Sequence, residues 1–188
     1  MPTGYQIQDQ ERPYYLTLRV VEWVDIFTRK AYRDIIVDSL NFCIAHKQFE
    51  VYGYVIMSNH VHLIARSGNG NLSGTLRDFK SFTSKEILKS IESGTESREK
   101  WMLSIFKNTA MKHKRNSEYQ LWTHENHAME IFSYQFFENK LDYMHANPVR
   151  GGIVENPEEY IYSSAKHYAD EHGLVNVETI DRVWKTVR

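Results

Sequence analysis

The stretch from Phe49 to Ile64 constrains the fold more than any other part of the chain. Val, Tyr and Phe crowd Phe49 to Met57, Ser58-Asn59 supplies turn residues, and His60-Val61-His62-Leu63-Ile64 resumes an apolar run. β-branched and aromatic residues interrupted by so short a polar pair read as two strands joined by a turn. Side chains alternate along a strand, so His60, His62, Ile64 and Arg66 share one face, and Val61, Leu63 and Ala65 the other. Two imidazoles held side by side on a strand form a ready pair of metal ligands. The same pattern fits a half-buried strand with two solvated histidines, because short His-x-His sequences also arise by chance.

The surrounding elements place this pair. Tyr14 to Val20 is strand-like, and Tyr32, Ile35, Ile36, Leu40, Cys43 and Ile44 then recur at helical spacing, with Asp25 or Thr28 as the expected cap. After the two central strands, Gly68-Asn69-Gly70-Asn71 breaks the chain. Leu72, Leu76, Phe79, Thr83, Ile87 and Ile91 mark a second helix. Ser93 to Arg115 reads as a short helix and a mobile basic loop, Tyr119 to Thr123 as a fourth strand, and Ser133 to Asn147 as a helix stopped by Pro148. Turn signals at Asn156-Pro157, a Tyr-rich stretch and a short helix near Glu178 to Val187 complete the chain. Strand-helix-strand-strand-helix-strand is the order of an α+β ferredoxin-like sandwich with an antiparallel sheet. Val61, Leu63 and Ala65 then face the helices, His60 and His62 face outward, and the helix from Ser133 is free to lie across them. The expected division is a main domain over residues 1–150, which would carry any site on this face, and a C-terminal extension over 151–188 packed on it.

Composition bounds the function. The chain has 188 residues, of which 41% are hydrophobic and 25% charged, with a formal net charge of −1, so it carries a core but no global basic field. A single cysteine, Cys43, excludes a disulfide framework and suits a reducing compartment. No signal peptide is visible and no apolar run approaches the roughly 20 residues of a membrane span, so a cytoplasmic location is expected.

On the helix from Ser133, Tyr143 and Asn147 lie at i and i+4 and so share a stripe with Phe136 and Lys140; Phe137, Leu141 and Met144 form the neighbouring apolar stripe. A phenol and a carboxamide facing two histidines can be given roles. The histidines and the Asn147 carbonyl would hold a divalent cation at a scissile phosphate, and Tyr143 would attack phosphorus. A packing role for this tyrosine, one of 12, is the plainer reading from spacing alone.

Tyr54 to Ile64 resembles the histidine-hydrophobe-histidine signature of the single-tyrosine HUH transposases, the IS200-like family. Leu141-Asp142-Tyr143-Met144-His145-Ala146-Asn147-Pro148-Val149-Arg150-Gly151-Gly152-Ile153-Val154 is similar to the nucleophile helix of their REP-associated tyrosine transposase branch, and Tyr160-Ile161-Tyr162-Ser163-Ser164-Ala165 to the segment that follows it. Three motifs in order span roughly residues 10 to 170. The resemblance implies an enzyme that nicks single-stranded DNA beside hairpins through a covalent 5′-phosphotyrosine and then transfers the strand. It implies Tyr143 as catalytic residue, His60, His62 and Asn147 as metal ligands, and magnesium or manganese as cofactor, manganese being the better match to two imidazoles on ligand softness. Single-stranded or hairpin DNA is the implied partner, with Arg77, Lys80, Lys85 and the basic and aromatic side chains of Trp101 to Arg115 available to hold its backbone. His124, Glu125 and His127 could assist the site or line a turn, the turn being the plainer reading. The alternatives are a replication-initiator or relaxase-type nickase and a non-enzymatic hairpin-DNA-binding module. Monomer and homodimer stay equally open, and a structural zinc site lacks four ligands.

Overall fold

A computed structural model of the chain describes residues 6–112 and 118–181. Four strands form one antiparallel sheet in the order β2-β3-β1-β4, from β1 (Tyr14–Arg19), β2 (Phe49–Ile56), β3 (His60–Ser67) and β4 (Met129–Glu130). Helices α1 (Lys30–Lys47) and α2 (Leu72–Ser90) pack against each other and cover one sheet face. This is the expected α+β ferredoxin-like order. Val61, Leu63 and Ala65 are fully buried beneath the two helices, with Ile36, Leu40, Leu76 and Phe79 in the same core.

Several local expectations change. Neither Asp25 nor Thr28 caps α1, whose first turn follows Arg29 without a side-chain cap. The Asp25 carboxylate instead meets Arg98 at 2.7 Å, and the Thr28 hydroxyl donates to the Asp25 carbonyl, an internal turn bond. The basic segment contains a 14-residue helix, α3 (Glu99–Lys112), longer than expected because Met102, Phe106 and Ala110 give it a buried face. Lys114 and Arg115 lie outside the described residues. The fourth strand is displaced: Trp122 makes only an isolated bridge to Val20, and the paired strand is Met129–Glu130. Trp122 is drawn into the core, its indole donating to Thr83 at 3.0 Å and its ring 5.7 Å from Phe27. No helix is formed over 178–181, and the rest of the last predicted helix lies outside the described residues.

The opposite sheet face carries α4 (Tyr134–His145), capped by the Ser133 hydroxyl accepting from the Phe136 amide. Phe137, Leu141 and Met144 are buried there, each contributing about 1.5–3 kcal/mol of transfer free energy. The register of β2 on β3 slips between Val51 and Gly53, a bulge that leaves Tyr52 unpaired. A Cβ on Gly53 would lie 2.6 Å from Met144 Cε and 2.8 Å from Leu141 Cδ1, so glycine lets the helix come this close without displacing either side chain. Pro148 does not stop the chain in an extended form. It begins a second short helix, α5 (Asn147–Arg150), after a one-residue break at Ala146, a position that suits proline because its missing N–H is not needed in a first turn.

The outer edge of β2 is closed by residues 160–178. The Ile56 amide donates to the Tyr162 carbonyl, the Tyr54 amide to Ser164 Oγ and the Glu178 amide to the Val51 carbonyl. Such cover satisfies an edge that would otherwise expose unpaired backbone groups. Among the described residues, no helix is long and apolar enough to cross a membrane.

Candidate active site

β1 and β3 supply one wall. Their register sets Thr17 opposite His62 and Arg19 opposite His60, with Tyr15 opposite Ile64, so all six side chains point to the α4 face. His60 and His62 have ring centroids 4.6 Å apart. The expectation that they face outward is met only in direction. α4 and its neighbours cover that face, and His62 is 6% exposed.

Each ring is oriented through Nδ1. His60 Nδ1 lies 2.7 Å from Asn59 Oδ1, an acceptor, so Nδ1 carries the proton and Nε2 keeps its lone pair. His62 Nδ1 lies 2.9 Å from the Tyr15 hydroxyl and 3.0 Å from Thr17 Oγ1. With Nδ1–H donating to one of these oxygens, His62 also presents Nε2. This is the usual support of metal-binding imidazoles. Burial disfavours the charged rings: His60 falls to about 4, with nearby Arg19 adding to the effect, and His62 to about 3, with His60, Lys140 and Arg150 adding. Both are therefore neutral, the form that binds cations, at physiological pH. Burial likewise pushes the Tyr15 phenol well above the ordinary range, so it stays protonated and neutral.

The facing wall is α4 and α5. Tyr143 is 47% exposed, and its ring centroid is 6.0 Å from that of His62. The Asn147 amide donates to the Tyr143 carbonyl at 3.2 Å, and its Oδ1 accepts from Arg150 Nη2 at 3.3 Å. Arg150 also donates to the Tyr143 carbonyl at 2.9 Å, while its Cζ sits 4.3 Å over the Tyr143 ring. Lys140 Nζ lies 5.0 Å from the Tyr15 ring centroid and 5.2 Å from that of Phe136, beside the histidines. The structure thus brings His60, His62 and Tyr143 together. It sets Asn147 against Tyr143 and Arg150.

Trp23 closes the His60 end. Glu22 and Trp23 both have left-handed backbone, at φ 50 and 56, a conformation costing about 1–3 kcal/mol per residue without glycine. The Trp23 ring meets His60 edge-on at 6.3 Å.

Sequence reasoning missed Tyr15, Thr17, Arg19, Asn59 and Arg150. The alternation Tyr15-Leu16-Thr17-Leu18-Arg19 held a signal, polar atoms every second residue beside an apolar set. Only strand pairing shows which histidine each meets. Of the proposed DNA-backbone cations, Lys80 is turned inward: its ammonium donates to the Thr123 carbonyl at 2.9 Å and to Asn126 Oδ1, and burial lowers it to about 8. Arg77 meets Asp78 at 3.3 Å, and Lys85 is exposed. His127 Nε2 lies 3.5 Å from Glu125 in the turn before β4, in line with the plainer reading. Among the described residues no cluster of three or more His, Cys, Asp or Glu forms a candidate metal site.

The fold and the paired histidines define the class. Residues 14–117 match the family described as transposase IS200 like, a span that includes His60 and His62 and ends before Tyr143. The chain belongs to that family, and its function is that of a transposase, an enzyme that binds and moves DNA. A solved REP-associated tyrosine transposase, bound to a REP hairpin in its own structure, superposes with a TM-score of 0.61 at 12% identity, covering 99% of this chain and 98% of that one. At such identity the likeness is one of fold. No curated protein matches in sequence.

Proposed function

We propose that this transposase cuts and rejoins single-stranded DNA beside a hairpin, with Tyr143 as nucleophile. The observation that carries this is the 6.0 Å approach of the exposed Tyr143 ring to His62 across the cleft between strand and helix. Tyr143 Oη attacks phosphorus, losing its proton to solvent. The bond to the 3′ oxygen breaks, and that oxygen takes up a proton as it leaves. The 5′ phosphate stays on the tyrosine until a 3′ hydroxyl attacks the same linkage and restores the phenol, so bond energy is conserved. The helix seam keeps Tyr143 at the mouth of the cleft through the contacts of its carbonyl and ring with Arg150.

His60 and His62 are suited to a divalent cation, since both are neutral, His60 presents Nε2, and His62 does so in the tautomer that donates from Nδ1 to Tyr15 or Thr17; Asn147 Oδ1 would join them on release from Arg150. Magnesium or manganese bound there would draw charge from the phosphate oxygens as the ester breaks. A hairpin with a single-stranded flank is the substrate we favour, in line with the hairpin bound by the REP-associated relative. A duplex would have to melt locally before a phosphate could enter a cleft between a strand and a helix. We further propose that residues 1–150 form the catalytic unit, that 151–188 form a C-terminal extension whose residues 160–178 brace it along β2, and that the protein acts on DNA in the cytoplasm.

The test is Tyr143→Phe with a hairpin oligonucleotide carrying a single-stranded flank. The variant should bind the DNA and yield no covalent protein–DNA adduct on a denaturing gel. An adduct at wild-type level would assign the nucleophile to another residue. Cutting a blunt duplex of the same sequence as fast as the hairpin would overturn the substrate reading.

A further inference from the structure

We propose that Trp23 and Arg19 form a nucleotide subsite beside the histidine pair, where one base of the single-stranded flank stacks on the indole and its phosphate meets the guanidinium. The inference rests on the single-stranded DNA reading above.

Four observations converge. Trp23 is 56% exposed, although a large aromatic next to a buried site ordinarily turns inward. It is held outward by a turn with two consecutive left-handed residues, fixed by the Trp23 amide donating to the Val20 carbonyl at 3.3 Å and Asn59 Nδ2 donating to the Trp23 carbonyl at 3.4 Å. Backbone of this kind persists where the surroundings impose it, commonly at functional sites. Asn59 also orients His60, so the platform and the histidine share one support.

Arg19 is the second half. Its Cζ lies 4.9 Å from the Trp23 ring centroid, and it stands opposite His60 in the sheet. Its Nε is buried without a hydrogen-bond partner among the described residues, and no ion pair among them includes it. A half-buried guanidinium whose Nε is shut off from water, beside a neutral histidine and an aromatic plate, lacks the anion that such a group ordinarily has. A phosphodiester supplies the anion, and the base attached to it supplies a π-face for the indole, the combination by which proteins hold single strands. Ring contacts run in order from Tyr143 to His62, His60 and Trp23, so the subsite would grip a nucleotide flanking the scissile phosphate.

The experiment measures binding, in chelator to prevent turnover, of three DNAs: a hairpin with a single-stranded flank, the bare hairpin, and an unstructured strand. Trp23→Asn removes the ring while keeping a residue that tolerates left-handed backbone; Trp23→Phe keeps a smaller plate. The Asn variant should lose about ten- to hundredfold in affinity for the flanked hairpin and for the unstructured strand, with the bare hairpin unaffected, and Phe should recover much of the loss. Arg19→Gln should lower the salt dependence on the flanked DNA by about 0.7 in log–log slope, the share of one single-strand phosphate. Unchanged affinity in Trp23→Asn, or equal loss on the bare hairpin, would overturn the subsite while leaving Tyr143 and its chemistry untouched. Binding of the unstructured strand that needs Trp23, with no preference for the hairpin, would uphold the subsite and overturn the hairpin substrate. Failure of the unaltered protein to bind any of the three would overturn both.

Discussion

The two walls of the cleft are built differently. The histidine wall is tertiary: His60 and His62 sit on a central strand, and their ring nitrogens are held by Asn59, Tyr15 and Thr17, the last two 47 and 45 residues away in sequence. The tyrosine wall is local. Tyr143 is met by Asn147 and Arg150, four and seven residues on, across the α4–α5 break, and nearly half its surface is open. On the proposed mechanism, a wall held from distant strands would fix where a phosphate lies, and a locally held, exposed one would let the tyrosine approach, carry a DNA end and return. Precision is spent where the reacting group must not move.

The largest expected effect separates the walls directly. His62→Ala should lower cleavage by orders of magnitude and also cost about 2–4 kcal/mol of stability, since it empties a buried site and strands two hydroxyls. Tyr143→Phe should abolish cleavage with stability within about 0.5 kcal/mol, as for an exposed side chain. Denaturant melts of both variants beside the cleavage assay decide this. A His62→Ala protein as stable as the parent would show that the histidine wall is no more tertiary than the other.

That cost was not legible in the sequence. Alternation along His60 to Arg66 correctly put both histidines on the face opposite Val61, Leu63 and Ala65. Spacing along the last long helix correctly put Tyr143 beside Asn147. Both are local periodicities. Depth is a different quantity, because burial of His62 depends on Tyr15 and Thr17 arriving from β1 and on Gly53 admitting α4. The fourth strand was misplaced for a similar reason: Trp122 has strand propensity, but a core site between Phe27 and Thr83 won over ladder pairing. Lys80 read as a phosphate contact because a basic residue on a helix is usually solvated, and its carbonyl and amide partners come from a loop over 40 residues away.

Next in size is the pH dependence of stability. Both site histidines have folded-state values lowered from 6.5, to about 4 and about 3, so the unfolded chain takes up protons first as pH falls. Their contribution is complete above pH 6.5 and declines below it, by about 1.4 kcal/mol per pH unit for each ring. His167 is also lowered by burial and adds in the same sense. Between pH 6.5 and 5 the carboxylates contribute little, so unfolding free energies in that window report histidines. Replacing His60 and His62 by Gln should flatten most of the slope. A slope unchanged by that double replacement would mean that neither ring is held neutral by the fold.

Gly53→Ala should act on the tyrosine wall from beneath. The added methyl meets the ends of Met144 and Leu141, flexible groups that can yield, so about 1–2 kcal/mol is expected. α4 should ride outward and cleavage should fall severalfold, while the pH dependence set by the histidines stays as it was. Loss of both together would show that the walls move as one body.

The smallest effect should come from Arg150, and it tests whether the compliant wall is positioned at all. The guanidinium lies over the Tyr143 ring and donates both to the Tyr143 carbonyl and to Asn147 Oδ1. An exposed cation–π contact of this kind is worth about 0.5–1 kcal/mol, enough to bias the ring without locking it. Arg150→Gln keeps a donor for the carbonyls and removes the charge over the ring. Stability should change by less than about 1 kcal/mol, and cleavage should fall a few-fold in kcat with KM nearly unchanged, because the ring samples more orientations while the DNA is held elsewhere. Arg150→Lys, which keeps the charge but not the planar fork, should recover only part of the loss. A rise in KM at constant kcat would recast Arg150 as a DNA-backbone contact, and the tyrosine wall would then be positioned by the DNA itself.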